Sequence, residues 1–192
     1  MRKIVAGLFI SLDGVYEAPG EWHFPYFDDD MRAAVGALME AADTMLLGRV
    51  TYEEFAGYWP NADPAENEIA DHMNGIPKLV VSNTLQSLAW QNSTLATGDV
   101  AARLTALKAQ PGKDISITGS GTLVRSLLRD GVLDELHLLV HPIAIGSGKR
   151  LFDDLKTPAP LELVRSTTFG SGVLSLVYRP APVTTSDGES PA

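Results

Sequence analysis

Four short stretches carry residues able to hold a ligand or move a proton: SLDG at 11–14, LLGRVTYE at 46–53, VVSNTL at 80–85 and ITGSGTL at 117–123. In the last, an apolar run passes through Gly119, Ser120, Gly121 and Thr122 into the leucine-rich LVRSLLRDG. Residues with almost no side chain leave consecutive backbone N–H groups unshielded at the positive end of the next helix, which suits a phosphate or pyrophosphate. The same glycines also allow a tight strand-to-helix turn, and an isolated G-x-G does not choose between the two. Gly48, Arg49 and Thr51 place a fixed cation and a hydroxyl directly after another apolar run, a pairing able to grip an anion. Read alone, Arg49 is a surface ion-pair arginine before it is an anion ligand. Ser82, Asn83 and Thr84 follow a third run and read as part of such a site or as turn and cap residues. Asp13 is a candidate for orienting a substrate or relaying a proton, although Asp-Gly is also a common turn dipeptide.

For these loops to act together, regular elements must bring them to one edge. Residues 3–11 are nearly all apolar, as in a strand covered on both faces. In DDDMRAAVGALMEAAD the residues Met31, Ala34, Val35, Leu38, Met39 and Ala42 recur at helical spacing, and the leading aspartates suit a helix N-terminus. TMLLG, KLVVS and DISIT read as strands, RVTYEEFAGYW as a helical turn, DVAARLTALKA as a helix, and LVRSLLRDG as a helix closed by Gly131. Alternation of strand and helix predicts an α/β fold around a mostly parallel sheet. The end differs: ELHLLVHPI stops at Pro142, and two strands flanking Gly170 and Gly172 predict an antiparallel hairpin. In such sheets ligands bind at the carboxyl ends of the strands. Three polar, small-residue breaks at that edge favour a nucleotide cofactor laid across it.

Composition excludes several classes. The 192 residues fit one domain, and the absence of cysteine removes disulfides, thiolate metal sites and a cysteine nucleophile, in keeping with a reducing cytoplasm. A net charge of -9 disfavours nucleic acid, and no apolar run reaches the ~20 residues of a membrane span. The basic, apolar start MRKIVAGLFI is cut short by Ser11 and Asp13 and reads as a strand rather than a leader. His137 and His141 share a strand face but lie about 13 Å apart at ~3.3 Å per residue, too far for one metal, so no metal site is expected. No G-x-S-x-G elbow is present. Trp22, Phe24, Tyr26 and Phe27 are either a loop folded onto the core or the apolar lid of a flat-ring site. Residues 181–192 lack periodicity and large apolar side chains, predicting a disordered tail.

SLDG, GRVTYE, VVSNTL, ITGSGTLVRSLL, GVLDELHLLVHPI and GSGKRLF stand in the order seen in the dihydrofolate reductase superfamily. The chain most resembles the reductase domain of the bifunctional riboflavin-biosynthesis enzyme and its stand-alone relatives. The resemblance implies a dihydrofolate reductase-like three-layer fold over residues 1–180, with a central mixed sheet, flanking helices and homodimeric assembly. It implies NADPH as cofactor and reduction of a C=N or C=O group on a small heterocycle, as in 5-amino-6-(5-phosphoribosylamino)uracil reductase. Gly48, Arg49 and Thr51 match the segment that grips the cofactor phosphates, and Ser82, Asn83 and Thr84 the segment near the adenosine 2′-phosphate. Gly119, Ser120, Gly121 and Thr122 match the pyrophosphate loop, and Asp13 the aspartate of the substrate-side motif. Two positions depart from the riboflavin reductase: Gly7 stands where that enzyme has lysine, and Thr118 where an acidic residue is common. Both touch the substrate side, which keeps open a non-catalytic nucleotide-binding or sensor protein.

Overall fold

β1 (Ile4–Ser11) lies at the centre of the molecule. Its side chains alternate between two apolar layers. Ile4, Ala6, Leu8 and Ile10 meet Ile115, Ile117, Val124 and Leu127, while Phe9 joins Met31, Leu139 and Val173 on the other face. Burial on both faces needs an apolar run rather than strict alternation, and IVAGLFIS supplies it. The structure, a computed structural model, describes residues 1–153 and 155–182; most of the tail predicted for 181–192 lies outside them.

After β1 come α1 (Asp29–Ala41), β2 (Ala42–Gly48), α2 (Arg49–Tyr58), α3 (Ala70–Gly75), β3 (Lys78–Val81) and β4 (Ser93–Ala96). The chain continues through α4 (Val100–Lys108), β5 (Asp114–Thr118), α5 (Gly121–Arg129), β6 (Glu135–His141), β7 (Leu161–Thr168) and β8 (Leu174–Pro180). The sheet order is β4-β3-β2-β5-β1-β6-β8-β7. Neighbours from β4 to β6 are parallel, and β8 returns antiparallel between β6 and β7. α4 and α5 contribute Leu104, Leu123, Val124 and Leu127 to one face. On the other, α1 brings Met31, and α2 and α3 bring Tyr52 and Met73 against Met45, Leu47 and Val80. This is the expected three-layer α/β arrangement with an antiparallel end.

The aspartates before α1 act as a helix start and more. Asp28 accepts from the Met31 N–H at 2.9 Å and from the Ser171 N–H at 2.8 Å, so one carboxylate caps α1 and anchors the β7–β8 turn. The helical turn expected after Gly48 is a helix of 10 residues. β4 and α3 have no counterpart in the sequence reading. STLA is too short and too polar to show a strand pattern, and the six-residue α3 is stabilised by packing Ala70 and Met73 rather than by propensity.

Candidate functional site

β5 pairs with β1 only from Ile4↔Ile115 to Gly7↔Thr118, after which β1 runs on to Ser11 beside β6 alone. The chain leaves β5 at Thr118 through Gly119 and Ser120, both in the left-handed region at φ +64° and +54°. Ser120 pays a conformational penalty that glycine avoids, and its hydrogen bonds explain how it is held. Its Oγ accepts from the Gly48 N–H at 2.9 Å, its N–H donates to Thr51 Oγ1 at 3.1 Å, and the two hydroxyls lie 3.0 Å apart. Gly48, Thr51, Gly119 and Ser120 therefore form one knot that sets the N-termini of α2 and α5 side by side. Thr51 is buried and committed to this knot. A side chain on Gly119 would meet Thr51 Cγ2 at 3.2 Å, so the close approach of the two loops itself calls for glycine.

The other sequence candidates divide. Arg49 pairs with Glu53 at 2.8 Å along its own helix, the surface arrangement left open by the sequence. Ser82 Oγ accepts from the N–H groups of Thr84 and Leu85 at 3.1 and 3.0 Å, a turn role. Asn83, between them, lines a groove of about 360 Å³ with Val81, Asp99, Leu123, Ser126 and Asp130. This groove runs between the carboxyl end of β3 and α5. Thr122 Oγ1 accepts from Arg125 at 3.2 Å.

Asp13 belongs to a zipper between the loop after β1 and the segment 143–151. Its carboxylate accepts from Ser11 Oγ at 2.6 Å, from the N–H groups of Ile145 and Gly146 at 3.0 and 2.8 Å, and from Arg150 at 3.3 Å. The Ser11 hydroxyl foremost, and then these backbone donors, hold it well below the ordinary carboxylate range. Tyr16 N–H donates to Lys149 O, Leu151 N–H to Gly14 O, and Glu17 pairs with Lys149. SLDG and GSGKRLF are thus two halves of one structure.

Sequence reasoning missed what this zipper presents. The Tyr16 ring lies directly on Gly121, where a Cβ would fall 2.4 Å from Cζ. An aromatic residue three positions after Asp13 was the available signal. Gly7, the substrate-side departure, lies under Leu38, whose Cδ1 would be 3.1 Å from a Cβ there. The aromatic loop is mostly folded inward: Trp22 and Tyr26 stand edge-on to the His141 ring at 5.1 and 5.7 Å, and Phe27 joins the core, while Phe24 remains 66 % exposed. His141 is fully buried, and His137 instead pairs with Glu135 at 3.1 Å. Among the described residues no group of three or more His, Cys, Asp or Glu could hold a metal, and no helix is long and apolar enough to cross a membrane.

Sheet order and the antiparallel C-terminal hairpin define a dihydrofolate reductase-like α/β fold. More narrowly, the chain belongs to the RibD C-terminal domain family, whose model matches residues 2–175. It is 34 % identical over 181 residues to the uncharacterized protein YyaP of Bacillus subtilis (strain 168), covering 92 % of this chain and 94 % of that one. In structure it is similar to a pyrimidine reductase-like protein from Corynebacterium diphtheriae, with TM-score 0.65, 17 % identity and coverage of 94 % of this chain and 92 % of that one. It is also similar to the Enterococcus faecalis dihydrofolate reductase solved with NADP(H), with TM-score 0.61, 15 % identity and coverage of 94 % and 97 %.

Proposed function

We propose that the protein is an NADPH-dependent reductase acting on a C=N or C=O group of a small pyrimidine- or pterin-like heterocycle, and that it works as a homodimer in the cytoplasm. The observation that carries this reading is the pair of helix N-termini joined through Gly48, Thr51 and Ser120; a groove lined by Asn83, Leu123 and Ser126 lies further along α5. Gly121, which this reading places in the pyrophosphate loop, is buried beneath the Tyr16 ring. In this reading Gly48, Thr51, Gly119, Ser120, Gly121 and Thr122 hold the pyrophosphate end, and Arg49, Ser82, Asn83 and Thr84 the adenosine 2′-phosphate. Two acids line the groove, but Asp99 caps α4 through the Ala102 N–H and Asp130 is bonded by Arg129 and Ser126, which tempers their charge toward a phosphate.

When bound, the cofactor supplies a hydride, and the protein's part is to hold the reacting groups close and to exclude water. Asp13 is held ionised with its oxygens accepting hydrogen bonds, so it positions the loop after β1 rather than donating a proton; water supplies the acid. Titrating NADPH while following its fluorescence tests the reading, and no binding at high micromolar concentration would sink it. Arg49→Ala should weaken NADPH more than NADH, and equal loss would reject the 2′-phosphate assignment. Binding without consumption across pterins, aminopyrimidines and simple imines would favour a nucleotide sensor, the reading fed by Gly7 and Thr118.

A further inference from the structure

His141 ends β6 with its Nδ1 2.8 Å from the Leu139 carbonyl. A carbonyl only accepts, so Nδ1 carries the proton and the neutral ring presents a bare lone pair at Nε2. That Nε2 is buried and has no hydrogen-bond partner, and neither has the buried Nδ1 of His23 in the loop above it. His23 is 7 % exposed and His141 0 %. The two imidazoles stand perpendicular with centres 6.2 Å apart. His23 lies flat on Phe9, at 4.6 Å and 11°, with Phe24 4.1 Å away, while Phe9, Trp22 and Tyr26 present edge contacts to His141.

A buried polar atom without a partner costs about 1–3 kcal/mol, and here two share one aromatic cage. A single water bridging the two nitrogens would have only the minimum of two polar partners, since most of the remaining wall is aromatic. A metal lacks a third ligand among the described residues. The missing partner of His141 must be a donor, and the slot on Phe9 has the shape of a flat ring, since one already fills it. Phe9 and His141 both lie toward the carboxyl end of the sheet, in the registers Phe9↔Leu139 and Ser11↔His141.

We propose that this cage is a binding site for a planar heteroaromatic ring, which takes the slot on Phe9 now filled by the His23 imidazole and donates an N–H to Nε2 of His141. Only the description of that ligand as substrate rests on the reductase reading. His23 is then a competitor built into the loop, and His141 the residue that selects an N–H edge.

Fluorescence titration with pterin, without nucleotide, tests the site on the wild type, His23→Ala, His141→Leu and His141→Gln, alongside a pterin methylated at every N–H. His23→Ala should bind pterin about tenfold more tightly, since the competing ring and its stacking are gone. His141→Leu should lose about tenfold for pterin and nothing for the methylated analogue, the range of one hydrogen bond. His141→Gln, which keeps an acceptor, should recover most of the loss and decides the matter if the leucine variant does not fold. Equal affinity for pterin and its methylated form, undiminished binding by His141→Leu, or no binding by His23→Ala overturns the site. NADPH titrations of the same proteins report on the reductase reading separately, so the failure of one is distinguishable from the failure of the other.

Discussion

Lys78 opens β3 with only 2 % of its surface exposed. Its ammonium donates to the carbonyls of Ile76, Asn74 and Gln91 at 2.8, 3.2 and 3.3 Å and sits 4.1 Å from the centre of the Trp90 ring. Neutral acceptors satisfy its N–H groups without cancelling its charge, so burial pushes the group from an ordinary 10.5 down to about 8. The sign of the consequence follows from proton counting. Between pH 8 and 10.5 the unfolded chain keeps this proton and the folded chain sheds it, so stability gains from Lys78 as pH rises through that window. Lys78→Met removes the titration while roughly preserving volume. In urea unfolding from pH 7 to 10.5, the wild type should gain on the variant above about pH 8 and hold a constant difference below it. A difference independent of pH rejects the argument. Nothing in KLVVS announced this burial, because the residues that enclose Lys78, Asn74 and Trp90, come from α3 and the loop before β4. The His23 and His141 cage was invisible for the same reason: each histidine is plain in the sequence, but their meeting depends on how a loop rich in Pro and Gly folds back.

Among the elements, the junction of α2, α5 and the loop after β1 is where sequence legibility was greatest and most easily misread. Small residues at Gly48, Gly119 and Gly121 signalled close approach, and the structure shows three different causes. Gly48 donates its N–H to Ser120, Gly119 bends at positive φ against Thr51, and Gly121 lies under the Tyr16 ring. Arg49 and Ser82, by contrast, took the ordinary ion-pair and turn roles that their residue types allowed. The Tyr16 contact gives an element-level prediction. Gly121→Ala alone should destabilise by about 1–3 kcal/mol, because the new methyl collides with the ring and pulls at the 13–17 and 145–151 zipper. In a Tyr16→Ala background the same substitution should be neutral or slightly stabilising, since alanine is the better helix residue. A double-mutant cycle by thermal or urea unfolding measures this, and additive effects of the two substitutions would show that the ring does not constrain α5.

At the scale of the molecule, alternation of strand and helix was enough to foresee a parallel sheet, because buried parallel strands are long apolar runs and their crossovers are periodic helices, and the two strands flanking Gly170 and Gly172 announced the hairpin. What alternation does not reveal is the use of an edge. β7 forms one edge of the sheet and is exposed along most of its length, with Leu163 51 % and Val164 43 % accessible. A bulge between Leu163 and Arg165 interrupts its pairing with β8, the kind of irregularity that discourages open-ended strand addition. Apolar residues on a bulged edge suit face packing against a second copy, and the homodimer proposed above would bury them there. Light scattering after gel filtration should then give twice the mass of the 20.6 kDa chain for the wild type. Leu163→Glu combined with Val164→Glu should give the monomer, with the far-ultraviolet circular dichroism unchanged because both side chains are exposed. A wild type that is already monomeric rejects the dimer, and a doubly substituted protein that remains dimeric moves the interface away from β7.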